Sequence, residues 1–209
     1  MPDSVDQIER NKKDYVKLTP EIIEGFASSC LVKYFDNASP FADFHREWWA
    51  LCCSDDKYVA ICAPRAHSKS TTISVVYTLA CVLFRSKRYI LIVADTESQA
   101  ALFLGQIKQI MLDSKEIHNL FNLKMNELGE PDFEKDTETD VIGVFKDGGR
   151  FRIIAKGAEQ KLRGLLWDGS RPDLVIIDDL MNEELVMNKA RRDKLRRWVY
   201  GSLIPCRSE

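Results

Sequence analysis

Three successive residues, Lys69, Ser70 and Thr71, have side chains suited to binding a polyphosphate. They follow a short apolar run at residues 58–62, which predicts a buried strand, and they begin an apolar-rich segment that predicts a helix to residue 84. The first N–H groups of a helix have no internal partners and attract anions. The lysine adds a positive charge, and a serine hydroxyl is a ligand for Mg²⁺. The segment therefore predicts a phosphate-binding loop.

The loop departs from the general pattern at its glycine positions. The pattern is Gly, four free positions, Gly, Lys, then Ser or Thr, and here Ala63 and Ser68 occupy the two glycine positions. Because a side chain makes positive φ angles costlier, we expect the loop to curl with modest dihedral angles or to store strain. The alternative is an ordinary turn with a lysine at a helix start. The predicted nucleotide-binding residues are Ala63, Pro64, Arg65, Ala66, His67, Ser68, Lys69, Ser70 and Thr71.

A second chemical feature is a pair of carboxylates after the apolar residues 174–177. At the carboxyl end of a strand, one carboxylate can hold Mg²⁺ and its neighbour can polarise an attacking water. We assign Asp178 to the metal and Asp179 to water activation. A glutamate is commoner in the second role, so Glu183 or Glu184 are further candidates for it. The alternative is that the acids only cap a helix.

Composition excludes several classes of protein. With 209 residues, 45% hydrophobic and 30% charged, the chain is typical of a soluble globular protein. We find no signal peptide, and the longest apolar stretches are too short to span a bilayer, which predicts a soluble, intracellular protein. A net charge of −2 excludes a uniformly basic protein, so a nucleic acid would have to bind a local patch such as residues 189–197. The alternative for that run is a solvated helix face. The 6 cysteines include no C-x-x-C pair and are expected to be reduced.

The order of elements predicts an α/β fold with an open parallel sheet. We expect a helix after Thr19, an aromatic-rich helix at residues 41–53, a central strand at 88–94, and a helix capped by Thr96. Residues 113–139 are expected to be irregular, and Lys146-Asp-Gly-Gly149 predicts a β-hairpin. A strand at 172–179 and a helix at 182–200 follow. In the aromatic helix, the sequence predicts a core-facing stripe of Phe44, Trp48 and Leu51, or alternatively a cover for an adenine ring.

Taken together, the phosphate-loop segment, the carboxylate pair and several other sequence strings resemble the large terminase subunits of tailed bacteriophages, which package DNA. The resemblance extends from about residue 41 to residue 205. Terminase phosphate loops often have Pro-Arg before Lys-Ser-Thr, as at Pro64 and Arg65. The strings that carry the resemblance are Phe44-His45…Trp48, Ala63-Pro-Arg-Ala-His-Ser-Lys-Ser-Thr71, Ile90-Leu-Ile-Val-Ala-Asp-Thr-Glu-Ser-Gln-Ala100, Arg163-Gly164 and Arg171-Pro-Asp-Leu-Val-Ile-Ile-Asp-Asp-Leu180.

The resemblance implies a P-loop NTPase of the RecA-like (ASCE) class, with a mainly parallel sheet flanked by helices, a β-hairpin and an N-terminal helical segment. It implies ATP and Mg²⁺ as cofactors, with phosphate contacts from Arg65, Lys69, Ser70 and Thr71. Asp178 would be the Walker B metal ligand and Asp179 the catalytic carboxylate. Arg163 looks like an arginine finger for a neighbouring subunit, or else it is a surface arginine. The implied partners are double-stranded DNA, the portal protein and procapsid, the small terminase subunit and further copies in a ring, all in the host cytoplasm.

The expected organisation is an N-terminal arm and helix at residues 1–40 and an ATPase domain at 41–209. No nuclease region follows, so we expect no nuclease activity. The coupling motif after the Walker B strand is missing or only approached at residues 203–205, which predicts an excised domain with weakened hydrolysis. Two other functions stay open: a helicase-like P-loop DNA translocase, and a degenerate nucleotide-binding domain that only binds partners.

Overall fold

The computed structural model describes residues 16–35, 41–162, 164–181 and 187–208. The chain forms two compact units. The first unit consists of residues up to Ser86 together with Gln109–Asp132 and Val144–Gly149. The second consists of Lys87–Lys108, Phe133–Gly143 and Arg150–Glu209. The predicted boundary at residues 40 and 41 stays a prediction.

Helices and strands together give an α/β fold, as the sequence predicted. The α-helices are α1 (Pro20–Phe26), α2 (Asp43–Cys52), α3 (Thr78–Leu83), α4 (Glu97–Asp113), α5 (Lys115–Leu120) and α6 (Lys189–Trp198). A π-helix at Thr71–Tyr77 runs directly into α3. Shorter π- and 3₁₀-helical turns are Ala27–Leu31, Val32–Tyr34, Val199–Leu203 and Ile204–Cys206. The strands are β1 (Tyr89–Ala94), β2 (Phe133–Asp136), β3 (Asp140–Val144), β4 (Arg150–Gly157) and β5 (Leu174–Asp178).

The five strands form one mixed sheet in the order β2-β3-β4-β1-β5. β1 is parallel to both β4 and β5, and β2 is antiparallel to β3. β3 and β4 are joined by a turn at residues 145–149, closed by a hydrogen bond from Phe145 N–H to Gly149 C=O at 2.8 Å. A connection this short permits only antiparallel strands, so the predicted hairpin is confirmed. The parallel part of the sheet is β4-β1-β5.

β1 organises the second unit because all its residues are buried. Its near-continuous apolar sequence is typical of a strand covered on both faces. One face contributes Tyr89, Leu91 and Val93 to a core that also contains Ile142, Ile154, Leu162, Trp167, Leu203 and Cys206. Elsewhere in the sheet, Gly143 of β3 lies against the Phe151 ring of the adjacent strand β4, and an added Cβ would meet that ring at 2.2 Å. Only glycine leaves room for the ring there.

Several predicted helix features of the two units are confirmed. Thr19 caps α1 by accepting a hydrogen bond from Ile22 N–H at 3.4 Å. Thr96 accepts from Gln99 N–H at 3.2 Å and so caps α4. The predicted helix at residues 182–200 is present as α6 from Lys189, while residues 182–186 lie outside the described residues.

Two predicted elements are wrong. Residues 58–62 do not form a strand, and the side chains of Tyr58 and Val59 are 64% and 39% exposed. The strand preference of β-branched and aromatic residues comes mainly from packing against neighbouring strands. No strand of the described residues pairs with this segment. Residues 113–139 are not wholly irregular, because α5 and β2 lie within them. Short polar elements of this kind lack the apolar periodicity that predicts helices and strands.

No helix of the described ranges combines the length and the apolar character that crossing a lipid bilayer requires.

An ion pair inside the β3–β4 hairpin links two strands of the second unit. The Arg152 guanidinium donates to both carboxylate oxygens of Asp140, at 2.9 and 2.7 Å, and Lys135 contacts the same carboxylate. Burial raises the pKa of Asp140, but the hydrogen bonds and charges of Arg152 and Lys135 outweigh burial and hold the pKa below its usual value. The ionised carboxylate therefore stabilises the folded state above its unfolded pKa, and this contribution is lost as pH falls through the folded pKa.

Replacing Asp140 with Asn is expected to lower the free energy of unfolding at neutral pH by about 1–3 kcal/mol, because charge-assisted hydrogen bonds are lost. The difference from the unmutated chain should shrink as pH falls below about 4, where the carboxyl protonates in the unfolded chain. Urea unfolding at neutral pH and below pH 4 measures the difference in the free energy of unfolding between the variant and the unmutated chain. The control is Asp136→Asn, whose ion pair with Lys108 is 48% exposed on the carboxylate and should contribute less than about 1 kcal/mol. An Asp140→Asn effect that is equal at both pH values would contradict the assignment.

Candidate functional site

Helical backbone begins at Lys69, at the end of the predicted phosphate loop. The first helical hydrogen bond runs from Thr72 N–H to Ser68 C=O at 2.8 Å. The N–H groups of Lys69, Ser70 and Thr71 precede this bond and donate to no backbone oxygen of the described residues. Lys69 and Ser70 are half-buried, whereas Arg65 and Ala66 are exposed. The helix start therefore presents free amides together with an amine and a hydroxyl, a combination that fits phosphate oxygens and Mg²⁺.

The loop stores backbone strain at two positions. Ala66 and Ser68 both have left-handed backbones, with φ of +66° and +54°. This conformation costs a residue with a side chain about 1–2 kcal/mol. Ser68 occupies the second glycine position of the general pattern, so the loop has kept the glycine-like backbone without the glycine. Of the two expected outcomes, modest dihedral angles or stored strain, the structure shows strain.

Helix α2 holds the loop and the following helix from one face. His45 Nε2 contacts His67 C=O at 3.2 Å, and Trp49 Nε1 donates to Thr72 C=O at 3.3 Å. One turn further on, the carbonyl of Cys52 accepts from the Tyr77 hydroxyl at 2.7 Å. Residues 45, 49 and 52 share a helix face because they are spaced by four and three positions. The contacts fix the backbone of the first unit on both sides of Lys69.

The predicted core stripe of α2 is only partly right. Trp48 is buried and Phe44 is half-buried, but Leu51 is 43% exposed. The fully buried residue is Trp49. Aromatic residues occur on two adjacent faces of this helix, so periodicity alone does not select the buried one. For the same reason, periodicity does not reveal the contacts made by His45 and Trp49.

The predicted carboxylate pair lies at the end of β5. Asp178 is the last residue of the strand and is 6% exposed, in register with Ala94 of β1. Because the two strands are parallel, their carboxyl ends lie at the same edge of the sheet. Asp179 is exposed and has a left-handed backbone, with φ of +46°. Aspartate tolerates this conformation better than most residues do.

The segment after β4 is fixed by α6. Gly157, the last residue of β4, lies so close to the backbone at the start of α4 that an added Cβ would be 2.6 Å from Glu97 N. In the residues after Gly157, two contacts come from α6. Trp198 Nε1 donates to Gln160 C=O at 2.9 Å, and Lys194 forms an ion pair with Glu159. The chain is therefore held in place up to the residues just before position 163.

Three predicted catalytic candidates have no structural description. Arg163, Glu183 and Glu184 lie outside the described residues, so their roles stay predictions. Among the described residues, no group of three or more His, Cys, Asp or Glu is arranged to hold a metal ion. The Mg²⁺ ligands predicted from the sequence are of a different kind, namely the Ser70 hydroxyl and the Asp178 carboxylate, and this assignment stays a prediction.

Neither the models of known protein families nor the curated protein sequences include a match to this chain. The resemblance to terminases therefore depends on the motif strings alone.

The strain in the loop predicts opposite effects for two alanine-to-glycine substitutions. Ala66→Gly removes a side chain from a left-handed residue and should raise the free energy of unfolding by about 0.5–1 kcal/mol. Ala63→Gly is the matched control, because Ala63 is not among the residues with positive φ. It should lower the free energy of unfolding by about 0.4–1 kcal/mol, since glycine adds freedom to the unfolded chain. Urea unfolding of both variants measures the difference, and a common sign would contradict a left-handed Ala66.

Proposed function

We propose that this chain is the ATPase motor domain of a tailed-phage terminase large subunit, coupling Mg-ATP hydrolysis to translocation of double-stranded viral DNA into the procapsid. The observation that carries the proposal is the helix start at Lys69. It combines unpaired amides, a lysine and a serine hydroxyl directly after a left-handed residue at a glycine position. Together these groups supply the contacts that a polyphosphate requires.

Each residue has a defined role in this proposal. Lys69 neutralises charge on the β- and γ-phosphates, and Ser70 and Asp178 are ligands of the Mg²⁺. Asp179 orients and deprotonates the attacking water, with Glu183 as the other candidate. Burial of Asp178 at a strand end supports a fixed ligand, whereas exposure of Asp179 leaves its carboxylate accessible to water. We further propose the P-loop NTPase fold, for which the parallel β4-β1-β5 arrangement is support.

We propose that α6 contacts the DNA. Six of its ten residues are lysine or arginine, and all of these basic residues are exposed. Such a density of exposed positive charge suits the phosphate backbone of a duplex, where binding depends on charge and not on sequence. The resemblance to terminases supplies the rest of the proposal. The chain assembles into a ring on the portal and contacts the small terminase subunit, and Arg163 acts as an arginine finger on a neighbouring copy.

Lys69→Ala is the direct test of nucleotide binding. Removing the ammonium should weaken Mg-ATP binding by about 10- to 100-fold, because a charge-assisted hydrogen bond is lost. Isothermal titration calorimetry measures the affinity. Lys146→Ala is the matched control, since Lys146 lies exposed in the hairpin turn and should leave the affinity unchanged. The proposal fails if the unmutated chain binds Mg-ATP no more tightly than the Lys69→Ala variant does.

Asp179→Asn tests the catalytic carboxylate. Asparagine also tolerates a left-handed backbone, so the variant removes the charge with little change in the local fold. Turnover should fall by about 10²–10⁴-fold while ATP affinity changes little. Glu183→Gln, assayed in parallel for phosphate release, decides between the two candidates. If only Glu183→Gln loses turnover, the role belongs to Glu183.

A second candidate function is a degenerate domain that binds nucleotide without hydrolysing it. The exposed, unpaired segment at residues 58–62 favours it, because a strand ahead of the loop would hold the loop more firmly. ATP binding by the unmutated chain without measurable phosphate release would support this second candidate over the motor.

A further inference from the structure

We propose that His45 is a positioning residue that sets the conformation of the candidate phosphate loop from outside the loop. It acts through the carbonyl of His67, and it does not itself contact nucleotide. Its effect on ATP affinity rests on the proposed function, whereas its effect on the loop backbone does not.

The hydrogen bonds of His45 define its tautomer. Ala42 N–H donates to Nδ1 at 3.1 Å, so Nδ1 is the acceptor nitrogen and carries no proton. A neutral imidazole then carries its proton on Nε2. The Nε2–H donates to His67 C=O at 3.2 Å. One ring therefore connects the start of α2 to the loop.

The imidazole ring packs against three aromatic neighbours. Its centroid lies 4.2 Å from that of Phe44, 5.8 Å from Phe41 and 5.2 Å from Trp48. A side chain packed in this way loses little further freedom when it makes a directed hydrogen bond. The donor is therefore fixed in direction before any ligand binds.

The bond matters because of where His67 lies. It separates the two left-handed residues, Ala66 and Ser68, whose conformation is unfavourable in the absence of outside support. A peptide unit is planar, with its C=O and N–H pointing in opposite directions. Holding His67 C=O toward His45 therefore directs Ser68 N–H to the opposite side. Reversal of this peptide would exchange a donor for an acceptor at the loop, and an acceptor repels phosphate.

Phe44 of α2 also contacts the loop, but through the ring of His67, with centroids 5.3 Å apart. The hydrogen bond from α2 to the loop backbone is made by His45. Trp49 and Cys52 contact Thr72 and Tyr77, which lie beyond the helix start. Inside the loop, His67 Nδ1 contacts only the nearby carbonyl of Arg65, at 3.0 Å. Loss of the His45 bond should therefore loosen the loop while the helix after it stays anchored.

Two substitutions, His45→Gln and His45→Asn, test the hydrogen bonds of the two ring nitrogens separately. Glutamine places its amide nitrogen near the position of Nε2, so His45→Gln keeps a donor for His67 C=O. Asparagine reaches only as far as Nδ1, so His45→Asn keeps an acceptor for Ala42 N–H and loses the loop contact. By calorimetry, Mg-ATP affinity should fall about 5- to 10-fold in His45→Asn and stay within about threefold in His45→Gln. Thermal unfolding should differ little between the two variants. Equal affinities of the two variants would overturn the proposal.

A ligand-free measurement tests the inference independently of nucleotide binding. Nitrogen-15 NMR of the unmutated chain should show the His45 proton on Nε2. The amide resonance of Ser68 should shift in His45→Asn and keep its position in His45→Gln. A proton on Nδ1, or the same Ser68 shift in both variants, would overturn the inference. If the unmutated chain binds no Mg-ATP, the proposed function fails, and the NMR result alone still decides the role of His45.

Discussion

Backbone N–H and C=O groups need hydrogen-bond partners, and the candidate site lies where this chain leaves such groups open. At Lys69 the helix begins without partners for its first amides, because the residues before it turn through left-handed conformations and do not fold back to cap it. The same requirement limits the sheet. Residues 58–62 have no partner strand among the described residues, so they do not form a strand despite their composition. Asp178 differs from both, since it is a buried side chain at the end of β5, whose residues are paired along their length with β1.

Prediction from sequence succeeded where one local pattern determines the result. β1 and β5 are apolar runs, the hairpin follows from Asp147-Gly148-Gly149, and α4 begins at a capping residue. It failed where the outcome depends on distant residues. The strand at 58–62 needed a partner that its own composition cannot supply. β2 was missed because three of its four residues are exposed and polar.

In the candidate site too, features set by local sequence were predictable, and contacts between distant residues were not. The motif correctly placed Lys69, Ser70 and Thr71 at a helix start, and the glycine pattern indicated the backbone of Ser68. The burial of Asp178 at a strand end was predictable as well. The contacts from His45, Trp49 and Cys52 join residues 22 to 25 positions apart, and no local periodicity reveals such pairs. Roles for Arg163 and Glu183 stay predictions because those residues lie outside the described chain.

The contacts of α2 have a consequence for how this loop varies. His45 and Trp49 bind carbonyl oxygens, which every amino acid provides, and they ignore the side chains of His67 and Thr72. Part of what determines the loop's shape therefore lies in a neighbouring helix, and these two hydrogen bonds place no restriction on the residue types at positions 67 and 72. A search that demands glycines within the loop would overlook relatives of this design. A search for histidine and tryptophan four positions apart, at the matching distance upstream of Lys-Ser-Thr, would retrieve them.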